Sequence, residues 1–365
     1  MAVTKEAVLG ALGVVEDPDL HKDIVSLGFV KDVVIDGSTV SFKVELTTPA
    51  CPVKDLLKRQ SEEVVARLPG VKRVNVEMTA NVRGKGGAGI GGGNPIPGVK
   101  NVIAVGAGKG GVGKSTVAVN LAIALQQSGA RTGLLDADVY GPSIPTMLGN
   151  ADRPRGVGPD KIVPNEAWGL KVMSVGFVLD PAKPMIVRGP IVHTLIRQFL
   201  ADVIWGDLDY LVVDLPPGTG DVALSLAQTV PLTGAVVVST PQDVSLIDVQ
   251  KAVAMFQQLK VPVLGMVENM SYYVCPSCGH RDEIFGHGGA ATWAETRGIP
   301  FLGGIPLHGA VRTGGDQGVP ALVDEKAPLE VKDAFVHVAQ EMARRVSILV
   351  ASAPRAPLIQ IQGLS

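Results

Sequence analysis

The chain has 365 residues, of which 46% are hydrophobic and only 4% aromatic, with a formal net charge of −2. That length suits two or three domains with a sizeable core. Few aromatic rings and a slightly acidic balance (pI about 6.3) exclude nucleic-acid stacking platforms and non-specific attraction to nucleic acid or to an anionic membrane. Three cysteines, an odd number, do not make a disulfide framework and point to a reducing, cytoplasmic compartment. The first twenty residues carry charge throughout, so they read as an amphipathic helix and not as a secretory leader. No apolar run is long enough to cross a bilayer.

In chain order, residues 3–15 are expected to form a helix. Strands are expected at Phe29–Ile35 and Thr39–Leu46, joined across Asp36-Gly37, a pair that favours a tight hairpin. Pro52 stands in the first turn of a second helix over 53–67, and Arg73–Met78 supplies a last strand. Residues 1–82 therefore read as a small α+β domain. The next stretch, 83–99, holds eight Gly and two Pro in seventeen residues, has little to bury, and is expected to be a tether. From 100 to 350, strand-like runs alternate with helix-like ones. The strands are expected at 101–106, 131–137, 170–175, 209–214, 234–239, 261–267 and 300–305. They are rich in Val, Ile and Leu without polar alternation, as in a parallel sheet buried on both faces. The fold class is therefore α/β, a doubly wound and mostly parallel sheet behind a small α+β domain. Residues 351–365 read as a tail with no helical face.

The most informative motif begins where the first of these strands ends. Gly108, Lys109, Gly110, Gly111, Val112, Gly113, Lys114, Ser115 and Thr116 satisfy the phosphate-loop pattern, between an apolar strand and a helix. Backbone N–H groups of such a loop wrap a phosphate, and the helix N-terminus adds positive potential. Lys114 is expected to reach the outer phosphates of ATP, and Ser115 to ligate Mg²⁺. The additional lysine after the first glycine, Lys109, resembles that of the deviant phosphate-loop ATPases, which include the nitrogenase iron protein and the septum-positioning and plasmid-partition ATPases. The resemblance implies that Lys109 reaches a partner's nucleotide, and so implies a homodimer. A cation supplied in trans stabilises charge on the transferring phosphoryl group once two subunits close.

Three later segments fit the same reading. Asp136 and Asp138 flank one residue at the C-terminal end of a parallel strand, where α/β sheets place ligands. In the resembled family this is the first switch, whose aspartates hold Mg²⁺ through water and orient the attacking water; which residue does which stays open. Tyr210 to Asp221 is an apolar strand ending in Asp214, the Walker B layout with Asp214 near Mg²⁺. Pro216, Pro217, Gly218 and Gly220 then form a second switch, with the Gly218 N–H expected free. Asn269 follows the strand at 261–267. It matches the position that reads the adenine edge in related ATPases, and equally suits a strand-end turn. No arginine finger, kinase lid or acceptor pocket is apparent, which favours slow, switch-like hydrolysis.

Cys275 and Cys278, turned by Pro276 and Gly279, have metal-ligand spacing. Two completions are open. His280 and His287 would make a Cys₂His₂ zinc knuckle within one chain. Alternatively, two chains would each give both cysteines, and four thiolates suit a [4Fe–4S] cluster. A dithiol–disulfide pair is a third option, but its local sequence does not resemble a redox helix start.

Taken together, GKGGVGKST, LDADVYGPS, DLPPGTGD and VENMS followed by CPSCG and Ile284-Phe285-Gly286 resemble the ATP-dependent iron–sulfur cluster carrier proteins of the Mrp/Nbp35 type over residues 100–345. Asp17-Pro18-Asp19 and Leu46 to Pro52 resemble the MIP18/DUF59 type of iron–sulfur assembly domain. Cys51, at a predicted helix N-terminus where positive potential would favour thiolate, is a candidate transient ligand or a small packed side chain. The resemblance implies an ATPase that passes a [4Fe–4S] cluster to apo iron–sulfur proteins in concert with cluster assembly factors. The alternative is a partition- or septum-type ATPase switch with a zinc knuckle at its dimer interface.

Overall fold

The computed structural model describes residues 3–84, 96–178, 189–218, 220 and 232–352. Helix α1 (Lys5–Leu12) opens where Thr4 Oγ1 accepts the Ala7 N–H at 3.2 Å, an ordinary N-cap. Strands β1 (Val30–Asp36) and β2 (Thr39–Leu46) pair antiparallel. Asp36 pairs with Thr39, so the turn is Gly37-Ser38 and not Asp36-Gly37, and Gly37 supplies the φ of +56° that a two-residue turn demands. Helix α2 (Lys54–Ala66) leads to β3 (Arg73–Ala80), which lies parallel to β2. Val40, Phe42, Val44 and Leu46 alternate inward along β2 and meet Val8, Leu12, Leu57 and Val65 of the two helices. Val53 is the N-cap of α2, so Pro52 stands ahead of the helix instead of in its first turn.

The larger unit is the expected doubly wound sheet. Its strands are β4 (Val99–Ala107), β5 (Thr132–Asp136), β6 (Asn165–Ala167), β7 (Leu170–Ser174), β8 (Leu208–Asp214), β9 (Gly234–Ser239), β10 (Val263–Val274), β11 (Arg281–Asp282) and β12 (Phe301–Leu307). The spatial order is β6-β7-β5-β8-β4-β9-β10-β12, with β11 on the far end of β10. Pairing is parallel except for β6 on β7 and β11 on β10. Helices α3 (Lys114–Gln127) and α8 (Leu329–Ser352) cover one face, burying Val117, Leu121, Phe335 and Met342. Helices α4 (Gly189–Ala201) and α5 (Asp243–Gln258) cover the other with Val192, Phe199, Val249 and Phe256. Among the described residues no helix is long and apolar enough to cross a membrane.

Three expectations need correction. The tether expected over 83–99 is packed at both ends: Ile96 and Val99 are buried, and Asn101 Nδ2 donates to the Arg83 carbonyl at 3.0 Å. An isoleucine and a valine beside a strand find apolar partners whatever the glycine content around them; residues 85–95 lie outside the described residues. The tail expected from 351 begins inside α8, which runs to Ser352, and 353–365 lie outside the described residues. The strand expected to stop at 267 continues to Val274, because β12 and β11 pair with it beyond its apolar part. Its register against β12 shifts between Asn269 and Tyr273, where Met270 takes a φ of +56°, a left-handed conformation costing of order 1–3 kcal/mol outside glycine.

The small domain docks at the end of the sheet where the parallel strands begin, away from the phosphate loop. Tyr210, near the start of β8, donates its hydroxyl to Thr48 Oγ1 at 3.1 Å in a buried hydrogen bond. Ala50 is part of the apolar core beneath α3 and α8.

Candidate functional site

The phosphate loop sits where β4 ends and α3 begins. Gly111 and Gly113 have φ near +80°, open to glycine at no steric cost. Gly113 has a second constraint: a Cβ there would lie 2.1 Å from Asn269 Nδ2. That amide donates to the Val112 carbonyl at 2.8 Å. An amide carries two N–H donors, so one hydrogen and the side-chain oxygen are left over. Asn269 thus braces the phosphate loop, and it also lines a cavity of about 530 Å³ with Gly113, Thr116, Pro142, Met270, Pro306, His308 and Arg312. Both roles expected for Asn269, turn brace and base contact, remain sterically compatible.

Lys114 is buried and converges on carboxylates. Its Nζ lies 2.6 Å from Asp214 Oδ1 and 3.7 Å from Asp138 Oδ2. Ser115 Oγ donates to Asp214 Oδ2 at 2.6 Å. Asp136 is fully buried: Ser174 Oγ donates to its Oδ2 at 2.8 Å, and the Asp138 N–H to its Oδ1 at 3.1 Å. Asp138 accepts the Gly141 N–H at 3.3 Å. One ammonium thus faces three carboxylates in a place without water's screening. Burial, with the Asp214 charge beside it, pushes the Asp136 carboxyl up to about 7. Burial likewise holds Asp214 above its ordinary value despite its bonds to Lys114 and Ser115. Such an excess of buried negative charge, with hydroxyl and carboxylate oxygens as donors, fits a divalent cation of the Mg²⁺ type.

Lys109 is half-buried and forms no ion pair among the described residues. Thr116, in the first turn of α3, opens onto the cavity. Gly108 is fixed by packing: a Cβ there would stand 2.2 Å from the Asp248 backbone of α5. Gly110 is exposed. The Gly218 N–H, expected to be free, donates to the Ala107 carbonyl at 3.0 Å, because the Pro-Pro turn folds the chain back onto the end of β4. Asp221 lies outside the described residues.

Cys275 begins immediately where β10 ends. The Cys275 N–H donates to the His280 carbonyl at 2.9 Å and the Gly279 N–H to the Cys275 carbonyl at 2.8 Å, with Gly279 at φ +70°. This closes a hairpin from β10 into β11. The Ser277 and Cys278 N–H groups donate toward the Cys275 sulfur and, with the Cys278 side chain, lower its pKa, the arrangement that suits a metal-bound thiolate. Cys278 is exposed. Among the described residues no third His, Cys, Asp or Glu side chain joins Cys275 and Cys278 at a metal position. His287 instead turns to Ser271, at 3.4 Å from its Oγ, so the single-chain Cys₂His₂ arrangement is not formed. The Cys51 thiol contradicts the expectation of a thiolate: burial, with Asp17 and Asp19 adding to it, pushes its pKa up to about 11. The Val53 N–H at the start of α2 lowers the thiol pKa but does not offset the burial.

Residues 98–343 match the family described as NUBPL iron-transfer P-loop NTPase, and residues 5–78 match one described as iron-sulfur cluster assembly protein. An iron-sulfur cluster carrier protein of Synechocystis is 47% identical over 354 residues, covering 95% of this chain and 99% of its own. The chain belongs to the iron–sulfur cluster carrier family of P-loop NTPases. Another relative, the chloroplast Fe-S cluster assembly factor HCF101 of Arabidopsis thaliana, is 46% identical over 93% of this chain and 64% of its own. Among solved structures, a nucleotide-binding protein of Archaeoglobus fulgidus in complex with ADP aligns with a TM-score of 0.56 and 41% identity, over 65% of this chain and 92% of that one.

Within this carrier fold the sheet brings together Lys114, Ser115, Asp136, Asp138, Asp214 and Asn269. Cys275 and Cys278 extend from the same strand as Asn269, while Cys51 is on the docked small domain, away from both. Sequence reasoning missed Ser174, whose signal was a hydroxyl closing an apolar parallel strand next to the Asp136 strand. It also missed Glu268. Fully buried, this carboxylate accepts from Ser271 Oγ at 2.5 Å, the Ala290 N–H at 2.8 Å and the Gly288 N–H at 3.2 Å. It thereby ties β10 to the chain that returns from the cysteine hairpin.

Proposed function

We propose that this chain is an ATP-hydrolysing carrier that works as a homodimer, holds a [4Fe–4S] cluster at Cys275 and Cys278 of both copies, and passes it to apo iron–sulfur proteins together with cluster assembly factors in the cytoplasm. The observation that carries the reading is the shared strand. Asn269, bonded to the phosphate loop, and Cys275 belong to one continuous run of chain from β10 into its hairpin. A change in the loop is therefore delivered to the cysteines through the five intervening residues, Met270 to Val274. Pairing on both sides and the Glu268 network limit how else that strand can respond.

The parts divide as follows. Loop N–H groups and Lys114 take the outer phosphates, and the cavity beside Thr116 and Asn269 takes the nucleoside end. Ser115 and Asp214 would hold Mg²⁺, which supplies charge neutralisation at the phosphates. Asp138, which faces Lys114, orients the attacking water. Asp136, wrapped by Ser174 and a backbone N–H, keeps the switch segment in place. Lys109, without an acidic partner among the described residues, serves the nucleotide of the other copy. Two thiolates per chain are too few for a cluster, so four require two chains.

The test is cluster transfer to an apo iron–sulfur protein, followed by visible absorbance with and without ATP. ATP should change the transfer rate for the parent protein and have no effect for Lys114→Ala. An equal ATP response in that variant would contradict the coupling.

A further inference from the structure

Of the three cysteines, Cys51 is the one the nucleotide-linked hairpin does not use. It lies at the junction of the two domains, in the turn before α2. Cys51 is partly exposed, and it borders a small, partly open crevice of about 20 Å³ lined by Asp17, Asp19 and Thr48 from its own domain and by Arg344, Ser347 and Ile348 of α8 from the other. A space of that size holds about one water molecule. A cluster does not fit inside it.

The wall is fastened at one point. Arg344 Nε donates to Asp19 Oδ1 at 2.5 Å and its Nη1 to Glu341 Oε2 at 3.0 Å. The Asp19 side chain is 11% exposed, so this is a directional, partly desolvated pair and not a surface contact. Elsewhere the docking rests on the Tyr210–Thr48 hydrogen bond and on Ala50 in the larger core.

We infer that the docked small domain is a closed state in which α8 partly covers Cys51, that the Arg344–Asp19 pair is its latch, and that Cys51 becomes fully accessible from solvent when the latch opens. Such a cover would slow attack on this cysteine, while Cys278 of the carrier hairpin is exposed. The cover does not depend on what the hairpin carries.

The experiment uses the full chain with Cys275→Ser and Cys278→Ser, leaving Cys51 as the sole thiol, and measures its alkylation by iodoacetamide at fixed pH. Loss of a charged hydrogen bond of this kind should raise the opening population, and with it the rate, about tenfold in Arg344→Ala. Removing this guanidinium also raises the thiol pKa slightly, which would slow the reaction, so a faster rate reports exposure. Tyr210→Phe should raise the rate through a different contact of the same interface. The exchange Arg344→Asp with Asp19→Arg should restore the slow rate. Circular dichroism checks that each variant is folded, and Tyr210→Phe carries the test if Arg344→Ala is not. The inference is overturned if Cys51 of the parent reacts as fast as in urea, or if folded Arg344→Ala and Tyr210→Phe both react at the parent's rate.

Discussion

Asn269 donates its side-chain amide to the carbonyl of Val112 at 2.8 Å, fastening the strand that ends at Cys275 onto the phosphate loop. Its neighbour in this contact is Gly113, where a Cβ would stand 2.1 Å from the Asn269 nitrogen and the backbone has a φ of +80°. Gly113→Ala therefore has to move Asn269 and strain the loop at once. It should cost roughly 1–3 kcal/mol in urea unfolding and weaken nucleotide binding at least tenfold by calorimetric titration. Parent-like affinity would mean that the loop and Asn269 are not in contact when nucleotide binds.

Ser174 gives a prediction that the sequence motifs do not contain. Its hydroxyl donates to Asp136 at 2.8 Å and accepts the Gly176 N–H at 2.9 Å, wholly buried. Ser174→Ala leaves one carboxylate oxygen and one N–H without these partners, a loss of about 1–3 kcal/mol. Hydrolysis should slow as the Asp136–Asp138 segment loses its brace. Unchanged stability together with unchanged turnover would remove Asp136 from the account.

Among the described residues Lys114 is the single ammonium beside Asp138 and Asp214, with Asp136 close by. Lys114→Met should reduce ATP hydrolysis at least a hundredfold, the scale of losing one preorganised charge at a reacting group. It should also destabilise the nucleotide-free protein by roughly 3–5 kcal/mol, because Asp214 is left buried without its cation. A variant more stable than the parent would show that Asp214 is neutral before nucleotide binds.

Much of this was legible from the chain. Short apolar runs bounded by turn residues suit a sheet covered on both faces, so β4, β5, β7, β8, β9 and β12 were readable within a residue or two. The loop, Asp214 and the cysteine pair announced themselves by residue types that have few other uses in that order. What was not legible came from contacts between distant segments. β10 looked finished at 267 because Glu268, Asn269 and Ser271 are polar, yet each is buried by partners far along the chain: the phosphate loop at Val112 and the loop around Gly288. Cys51 misled for the same reason. A helix start favours thiolate locally, but α8, almost three hundred residues later, desolvates it.

That desolvation has a pH signature. The folded Cys51 thiol keeps its proton up to about pH 11, whereas an unfolded cysteine loses it near 8.5. Between roughly pH 9 and 11 the unfolded chain therefore binds fewer protons than the folded one, and stability falls as pH rises. Below that window the contribution is fully present. Urea midpoints measured from pH 8 to 11 should decline more steeply for the parent than for Cys51→Ala. Parallel curves would show that the thiol is not shielded.

The central claim is that two copies share one inorganic centre. Iron, zinc and acid-labile sulfide should be measured per chain after anaerobic reconstitution, alongside the mass of the particle in solution. About four irons and four sulfides per two chains in a dimer, with the visible absorbance lost in Cys275→Ser, is the predicted result. A monomer holding one zinc per chain and no sulfide would contradict it.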